Sequence, residues 1–234
     1  MKLARPDVFH PRIVLAGCPE RPGGDADDAG LVPALRARGL HARWLSWDDP
    51  ETGDADLVIL RATHDRAGRR EQFLAWTTAV PHLLNPPAVV AWNAGGRYLG
   101  DVAHRGVPTV SEPGRPPDTA LVFLGGEPSH AFAGRPGDLV QDEPDFWVWD
   151  VGAAALAAAA AQTGVAVSDL LYARADLVGA RLLDLQLIDP CLDWMRLDPT
   201  TRDLAQRKFV LGVESALQRL GLGPLSRPDA HRGP

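Results

Sequence analysis

In YARADLV (172–178) Arg174 and Asp176 stand two residues apart, and in RLLDLQLID (181–189) Asp184 and Gln186 repeat the spacing. If both stretches are strands, a side-chain period of two puts each pair on one face. A hairpin made from them would then carry Arg, Asp, Asp and Gln together. Such a face can hold a charged ligand and move protons; the alternative is a solvated sheet surface on which Arg174 and Asp176 form a plain ion pair.

Other chemistry-bearing residues fall near it. Asp189 and Cys191 follow the second stretch directly, and His130 in PSHAF could act as a general base because imidazole titrates near neutrality. A Cys191–His130 pair is conceivable, although most lone cysteines are buried packing residues. In RATHDR (61–66), Arg61, Thr63, His64 and Asp65 follow a continuous apolar run, where ligands of open α/β sheets bind outside the strand ends; a helix-capping loop would have the same composition. Asn93, in AVVAWNAGGRYL, is counted with them as a substrate contact, as are Gln186, Asp189 and Cys191.

The elements that must position these residues are legible as two textures. RIVLAGC (12–18), HARWLSW and DLVILRAT (56–63) read as strands, the last of the kind buried in a parallel sheet, and GLVPALRARGL and REQFLAWTTAV alternate with them as helices. AVVAWN and GRYLGDVAHRG read as two short helices, the second stopped at Gly106. SEPGRPPD (111–118) is the best boundary. Beyond it, LVFLGGEPSHAFAGRP is a hairpin about Gly125-Gly126, DFWVWDV (145–151) reads as a further strand, and an alanine-rich helix runs over 152–163. A second hairpin about Gly179-Ala180 and an amphipathic helix in TTRDLAQRKFVLGVESALQRL complete the unit.

The predicted fold class is α/β: an open α/β half-domain over 1–112, an α+β domain over 118–222, and a tail over 223–234. With 45% hydrophobic residues the chain can bury a sizeable core, and a net charge of −6 with scattered arginines gives no footprint for nucleic acid or an anionic membrane. The partner expected is a small-molecule substrate, with a homodimer also open. No apolar leader precedes the first strand and VGAAALAAAAA is too short to span a bilayer, so a cytoplasmic protein is expected. Cys18 and Cys191 lack metal-ligand spacing and read as buried thiols.

In order and spacing, RIVLAGCPERP, DLVILRATHDR and LLNPPAVVAWNAGGRYLGDVAHRGVPTV resemble the front domain of one branch of the ATP-grasp superfamily, the branch with the cyclo-ligase that closes the ring of cycloserine. LVFLGGEPSHAFAGRP, LLYARADLV and LLDLQLIDPCL resume the resemblance. It implies a pre-ATP-grasp-like front half, an ATP-grasp-like second half, and acyl-phosphate chemistry with ATP and two magnesium ions. It also implies that Arg174 stabilises acyl transfer and that Asp176 binds metal.

The same resemblance exposes a deficit. Where the family places a lid with phosphate-binding lysines, only PGRPPD stands, and the chain's only lysines, Lys2 and Lys208, lie in no glycine-rich loop. The family's metal-binding glutamates correspond to Asp184, Gln186 and Asp189, a set weakened for magnesium by a neutral amide and shorter side chains. The expectation is therefore a degenerate, lidless ATP-grasp scaffold with ATP and magnesium lost, no cofactor and no bound metal. Arg174, Asp176, His130 and Asp184 would carry cyclase- or isomerase-type chemistry in specialised biosynthesis. An ATP-dependent carboxylate–amine ligase or cyclo-ligase with a lidless site is the runner-up, and a non-catalytic metabolite-binding or partner-stabilising relative the third reading.

Overall fold

The computed structural model describes residues 9–112 and 114–223, so Lys2 and the tail from 224 lie outside the described residues. In the first half β1 (Arg12–Gly17), α1 (Leu31–Ala37), β2 (His41–Ser46), β3 (Leu57–Leu60), α2 (Arg70–Ala79), β4 (Leu83–Leu84), α3 (Pro87–Asn93) and α4 (Tyr98–His104) follow in order. The four strands form a parallel sheet in the order β2-β1-β3-β4. All four residues of β3 are buried, as expected of a strand covered on both faces.

In the second half β5 (Thr119–Leu124), β6 (Glu127–Arg135), β7 (Asp138–Asp142), α5 (Phe146–Thr163), β8 (Tyr172–Val178), β9 (Arg181–Gln186) and α6 (Pro199–Arg219) build a separate antiparallel sheet, ordered β7-β6-β5-β8-β9. Its two faces do different work. Leu121, Phe123, Ala131, Ala173, Ala175 and Leu185 pack in one core with Leu156 and Ala159 of α5. Ala120, Val122, Leu124, Phe132 and Tyr172 join Phe209 and Val213 of α6 and Ile13, Leu15, Leu57 and Ile59 of the parallel sheet in another. The two sheets therefore share a core, and each buried aliphatic side chain in it contributes roughly 1.5–3 kcal/mol.

Two expectations are corrected here. DFWVWDV is not a strand: α5 begins at Phe146, with Phe146 and Trp147 exposed. Helix nucleation is the costly step, and once the alanine run supplies it each upstream residue adds a bond. The third strand of the meander is instead DLVQD, reached through Gly137 at φ 86, a conformation only glycine adopts without strain. Gly152 is also required: a Cβ there would stand 2.7 Å from the Phe123 ring, so α5 could not lie on the sheet.

The second correction concerns Arg61. It does not face a ligand; it is buried, with Nη2 2.9 Å from Asp28 and 2.9 Å from the Pro190 carbonyl. Trp194 donates to the same Asp28 from the other half, and Arg61 lies over the Tyr172 ring at 5.2 Å. The Tyr172 hydroxyl in turn donates to the Leu60 carbonyl at 2.7 Å, while Asn85 bonds Leu171, Tyr172 and Leu187. These contacts pin one sheet to the other. Arg61→Ala is expected to lower the unfolding free energy by about 3–5 kcal/mol, because it strands a buried Asp28 carboxylate, and replacing both partners by apolar residues should cost far less. Guanidinium unfolding of the single and double variants at neutral pH is the check; a single variant as stable as the parent would show that the pair pins nothing.

Candidate functional site

The register of β5, β6, β8 and β9 decides which polar side chains meet. Val122 lies opposite both His130 and Arg174, and Arg174 opposite Gln186; in the next row Ala120 faces Phe132 and Asp176, and Asp176 faces Asp184. All lie on the face that α6 covers over β5 and β6. Toward the β8–β9 edge this face turns polar, and there the segment 187–197 passes over it.

Arg174 is held inside that segment. Its Nε donates to Asp176 Oδ1 at 2.8 Å, and its Nη1 donates to Asp193 Oδ2 at 2.7 Å and to the Cys191 carbonyl at 3.1 Å. The second Asp176 oxygen accepts from Gln186 Nε2 at 3.0 Å. Burial raises the Asp176 carboxyl above its ordinary value, opposed by the attraction of Arg174. Asp184 accepts a short hydrogen bond from the Tyr98 hydroxyl, whose own pKa is raised, first by burial and then by this bond.

A cleft of about 610 Å³ opens beside this edge. It is lined by the polar Asp184, Gln186, Asp189, Asn93 and Tyr98, by the basic His64, Arg66 and Arg70, and by the apolar Phe73, Leu74 and Ile188. Asn93 is also structural, bonding the Leu185 carbonyl at 2.7 Å and the Leu187 N–H at 2.9 Å, which fixes the end of β9. Asp189 accepts from the Thr63 N–H and hydroxyl, both at 2.8 Å, and pairs with Arg66 at 2.5 Å. A smaller recess on the far side of Tyr98 and Asp184 is lined by Asp176, Ser111, Glu112 and Arg115.

Of the residues expected at the site, His64, Asn93, Asp184, Gln186 and Asp189 line the cleft. Thr63, like Arg61, is fully buried and serves the fold rather than a ligand. Asp65 is turned to the Trp47 indole at 2.8 Å and to Arg69 at 3.0 Å. His130 is buried with Nε2 2.8 Å from the Leu192 carbonyl, so that nitrogen carries the proton and Nδ1 accepts from Ser129. Burial also lowers its pKa, leaving a neutral ring whose one lone pair is already used.

Cys191 is exposed rather than buried, and no Cys–His pair forms: its thiol lies 3.6 Å from Asp193 and 3.8 Å from Asp27. Desolvation, then the Asp193 charge, pushes the thiol up to about 11, so it is protonated near neutral pH. Arg66, Arg70 and Tyr98 are cleft residues that the sequence reading missed. The HDRAGRRE run was a visible signal for the first two; Tyr98, inside an apolar helical pattern, gave none.

Comparison with known proteins places this geometry. A family model described as the N-terminal domain of D-cycloserine synthetase DcsG matches residues 13–85. The cycloserine biosynthesis protein DcsG of Streptomyces lavendulae is 33% identical over 125 residues, 49% of this chain and 42% of that protein, so the match takes in less than half of that relative. The crystal structure of D-cycloserine synthetase DcsG superposes with a TM-score of 0.74 at 20% identity, covering 88% of this chain and 99% of that one. D-alanine–D-alanine ligase from Bacillus anthracis complexed with ATP gives 0.58 at 10% identity over 91% and 98%, and the ATP-grasp ligase PsnB complexed with precursor peptide PsnA2 and AMPPNP gives 0.53 at 14% over 89% and 100%. The fold is that of the ATP-grasp ligases. Over part of its length the chain is also similar in sequence to DcsG.

That fold implies magnesium on the strand carboxylates, and the donor set here does not fit it. Asp176 and Asp189 have both oxygens engaged, one oxygen of Asp184 is taken by Tyr98, and Gln186 presents its N–H to Asp176 rather than its carbonyl to a cation. Among the described residues no cluster of three His, Cys, Asp or Glu is arranged to hold a metal. Isothermal titration with Mn²⁺ is expected to show no saturable binding to the parent protein. The double variant Tyr98→Phe, Gln186→Glu frees one carboxylate and adds another, so it should gain binding; equal affinity in both proteins would contradict the misfit.

Proposed function

We propose that the chain is a small-molecule biosynthetic enzyme on an ATP-grasp scaffold, acting on a carboxylate-bearing metabolite in the cleft between its two sheets. The observation that carries this reading is the cleft itself: its lining brings Asp184 and Gln186 of the strand edge, the Asp189–Arg66 ion pair, His64 and Arg70 together with the apolar Phe73, Leu74 and Ile188. Such a site orients a small polar molecule and shields part of it from water.

A ligase or cyclo-ligase reaction in natural-product biosynthesis is the first reading, because the relatives named above are ligases and synthetases of one fold. In this chain Asp184, hydrogen-bonded to the phenol of Tyr98, is the group placed to accept a proton from an attacking amine or hydroxyl. A nucleotide-free cyclase or isomerase is the second reading. It is favoured by the six residues between Glu112 and Thr119, too few for a lid, and by the prior engagement of Asp176 and Gln186. Loss of ATP and magnesium belongs to this second reading, as action on a cytoplasmic metabolite does to both. No helix among the described residues is long and apolar enough to cross a membrane.

The deciding experiment incubates the purified protein with ATP, magnesium and a panel of amino and hydroxy acids. The ligase reading expects ADP release dependent on one panel member, and Asp184→Ala should lower that rate on the order of a hundredfold or more. Product formation without ADP would select the nucleotide-free reading, and no turnover with any acid would remove the enzymatic proposal for that substrate class.

A further inference from the structure

The 18-residue α5 has no polar face. Ala155, Leu156 and Ala159 point into the core beneath it, and α3 and α4 pack along one flank. Its remaining face is exposed, and there Phe146, Trp147 and Asp150 are followed by Ala153, Ala154, Ala157 and Ala161. Phe146 is 78% exposed and Trp147 45%, the former more than any other large apolar side chain among the described residues. The other long helix, α6, turns Asp203, Arg207, Ser215 and Arg219 to solvent between its apolar residues. A helix apolar on every side is one that is ordinarily covered on every side, and α5 is covered on only part of its circumference.

The ends of the same face carry unlike charge. The turn from β7 into α5 holds Asp142, Glu143 and Asp145, whose carboxylates accept only from the Glu143 N–H and the indoles of Trp149 and Trp147 among the described residues. At the far end of α5, the Arg105 guanidinium bonds the neutral Gln162 amide at 2.9 Å and meets no carboxylate among the described residues. Beside the acidic end, Val140 of β7 is 61% exposed. Its neighbour Leu139 joins the core under α6, so the strand period turns Val140 to the α5 side of the sheet.

We propose that this face of α5 is the contact surface between two copies of the chain, related by a two-fold axis that sets the helices antiparallel with Ala153 and Ala154 at the axis. The arrangement is self-complementary, as a two-fold interface must be. Phe146 and Trp147 of each copy reach the alanine end, Ala157 and Ala161, of the other, so large side chains meet small ones. The acidic turn of each copy comes beside Arg105 of the other, and this happens twice. The two Asp150 carboxylates stay about 10 Å apart along the axis, where salt screens them. A parallel pairing would instead set acid against acid and aromatic against aromatic. The seam is about 27 Å long and by itself falls short of the roughly 800 Å² per partner of a standard interface, so the dimer should be concentration-dependent, with a Kd on the order of micromolar. It does not depend on the reaction proposed above.

Sedimentation velocity of the full chain, over a dilution series reaching about 100 μM, is expected to show a monomer–dimer equilibrium. Ala157→Glu should raise the Kd at least about a hundredfold, because symmetry introduces the charge twice at a position where glutamate keeps the helix. Arg105→Glu should weaken the dimer more at low ionic strength than at high. Leu211→Glu, on the exposed side of α6, should leave it unchanged. Register is read in a Cys191→Ser background, since Cys191 is the exposed thiol. There Ala154→Cys should cross-link two copies on mild oxidation, whereas Ala161→Cys should not, its two thiols lying about 20 Å apart along the axis. Far-UV circular dichroism should show every variant folded. A parent that stays monomeric throughout the series would overturn the proposal and leave the face to a different partner or to water. So would a dimer that Ala157→Glu leaves intact or Leu211→Glu breaks, and equal cross-linking of the two cysteine variants would refute the antiparallel register.

Discussion

Burying a guanidinium and a carboxylate costs several kcal/mol per ion, recovered only where geometry and further hydrogen bonds are good. Arg61 and Asp28 approach that condition because two other parts of the chain add to the pair, the Pro190 carbonyl on the arginine and the Trp194 indole on the aspartate, although Arg61 Nη1 is left buried without a partner. Pro190 and Trp194 both belong to the segment after β9. The rest of the structure depends on this pair, since it makes the path of 187–197 a requirement of the first half's own stability. Asp189 with Thr63 and Arg66, and Asp27 with the Met195 N–H at 2.8 Å, fasten the same segment at its flanks.

From that path the electrostatics of the site follow. Asp193, brought over β8, turns what would be an Arg174–Asp176 pair into a guanidinium between two carboxylates. Arg196 meets the far side of Asp193 at 3.4 Å, yet the Asp176 carboxyl is still raised, first by burial and then by the excess of acid from Asp184 and Asp193. The Gln186 amide eases it by supplying a donor without a charge. At the edge, the Tyr98 hydroxyl does the same for Asp184. A second carboxylate in place of Gln186 would worsen the excess unless a cation joined it, so the neutral amide and the phenol belong together physically.

How much of this was legible in the sequence depends on whether the cause was local. β3 announced itself as an unbroken apolar run, and the β8–β9 hairpin as two period-two stretches about a glycine, so the polar strand face was readable before any coordinates. Arg61 was not. An arginine at a strand end reads as a ligand contact, and what buries it is an aspartate 33 residues away plus a carbonyl 129 residues on, which no periodicity reveals. DFWVWDV failed for a related reason: its alternation was genuine, but the adjoining alanine helix decided its state. His130 and Cys191 were judged by their chemistry, whereas burial first, and for Cys191 then the Asp193 charge, sets their protonation.

The short passage between Glu112 and Thr119 bears on what the cleft can do. In an ATP-grasp ligase a lid closes over the reacting groups and excludes water, which strengthens every electrostatic contact beneath it. Here that role cannot come from a lid rooted in this passage. Water must be displaced by the ligand itself, through contact with Phe73, Leu74 and Ile188, and by a frame that is already rigid because Asn93 and Tyr98 tie α3 and α4 to β9. A site of this kind gains its precision from preorganisation rather than closure. Its selectivity should then reside in ligand shape and in the charges that line the cleft, since a molecule that leaves these apolar side chains wet would not find the donors strengthened.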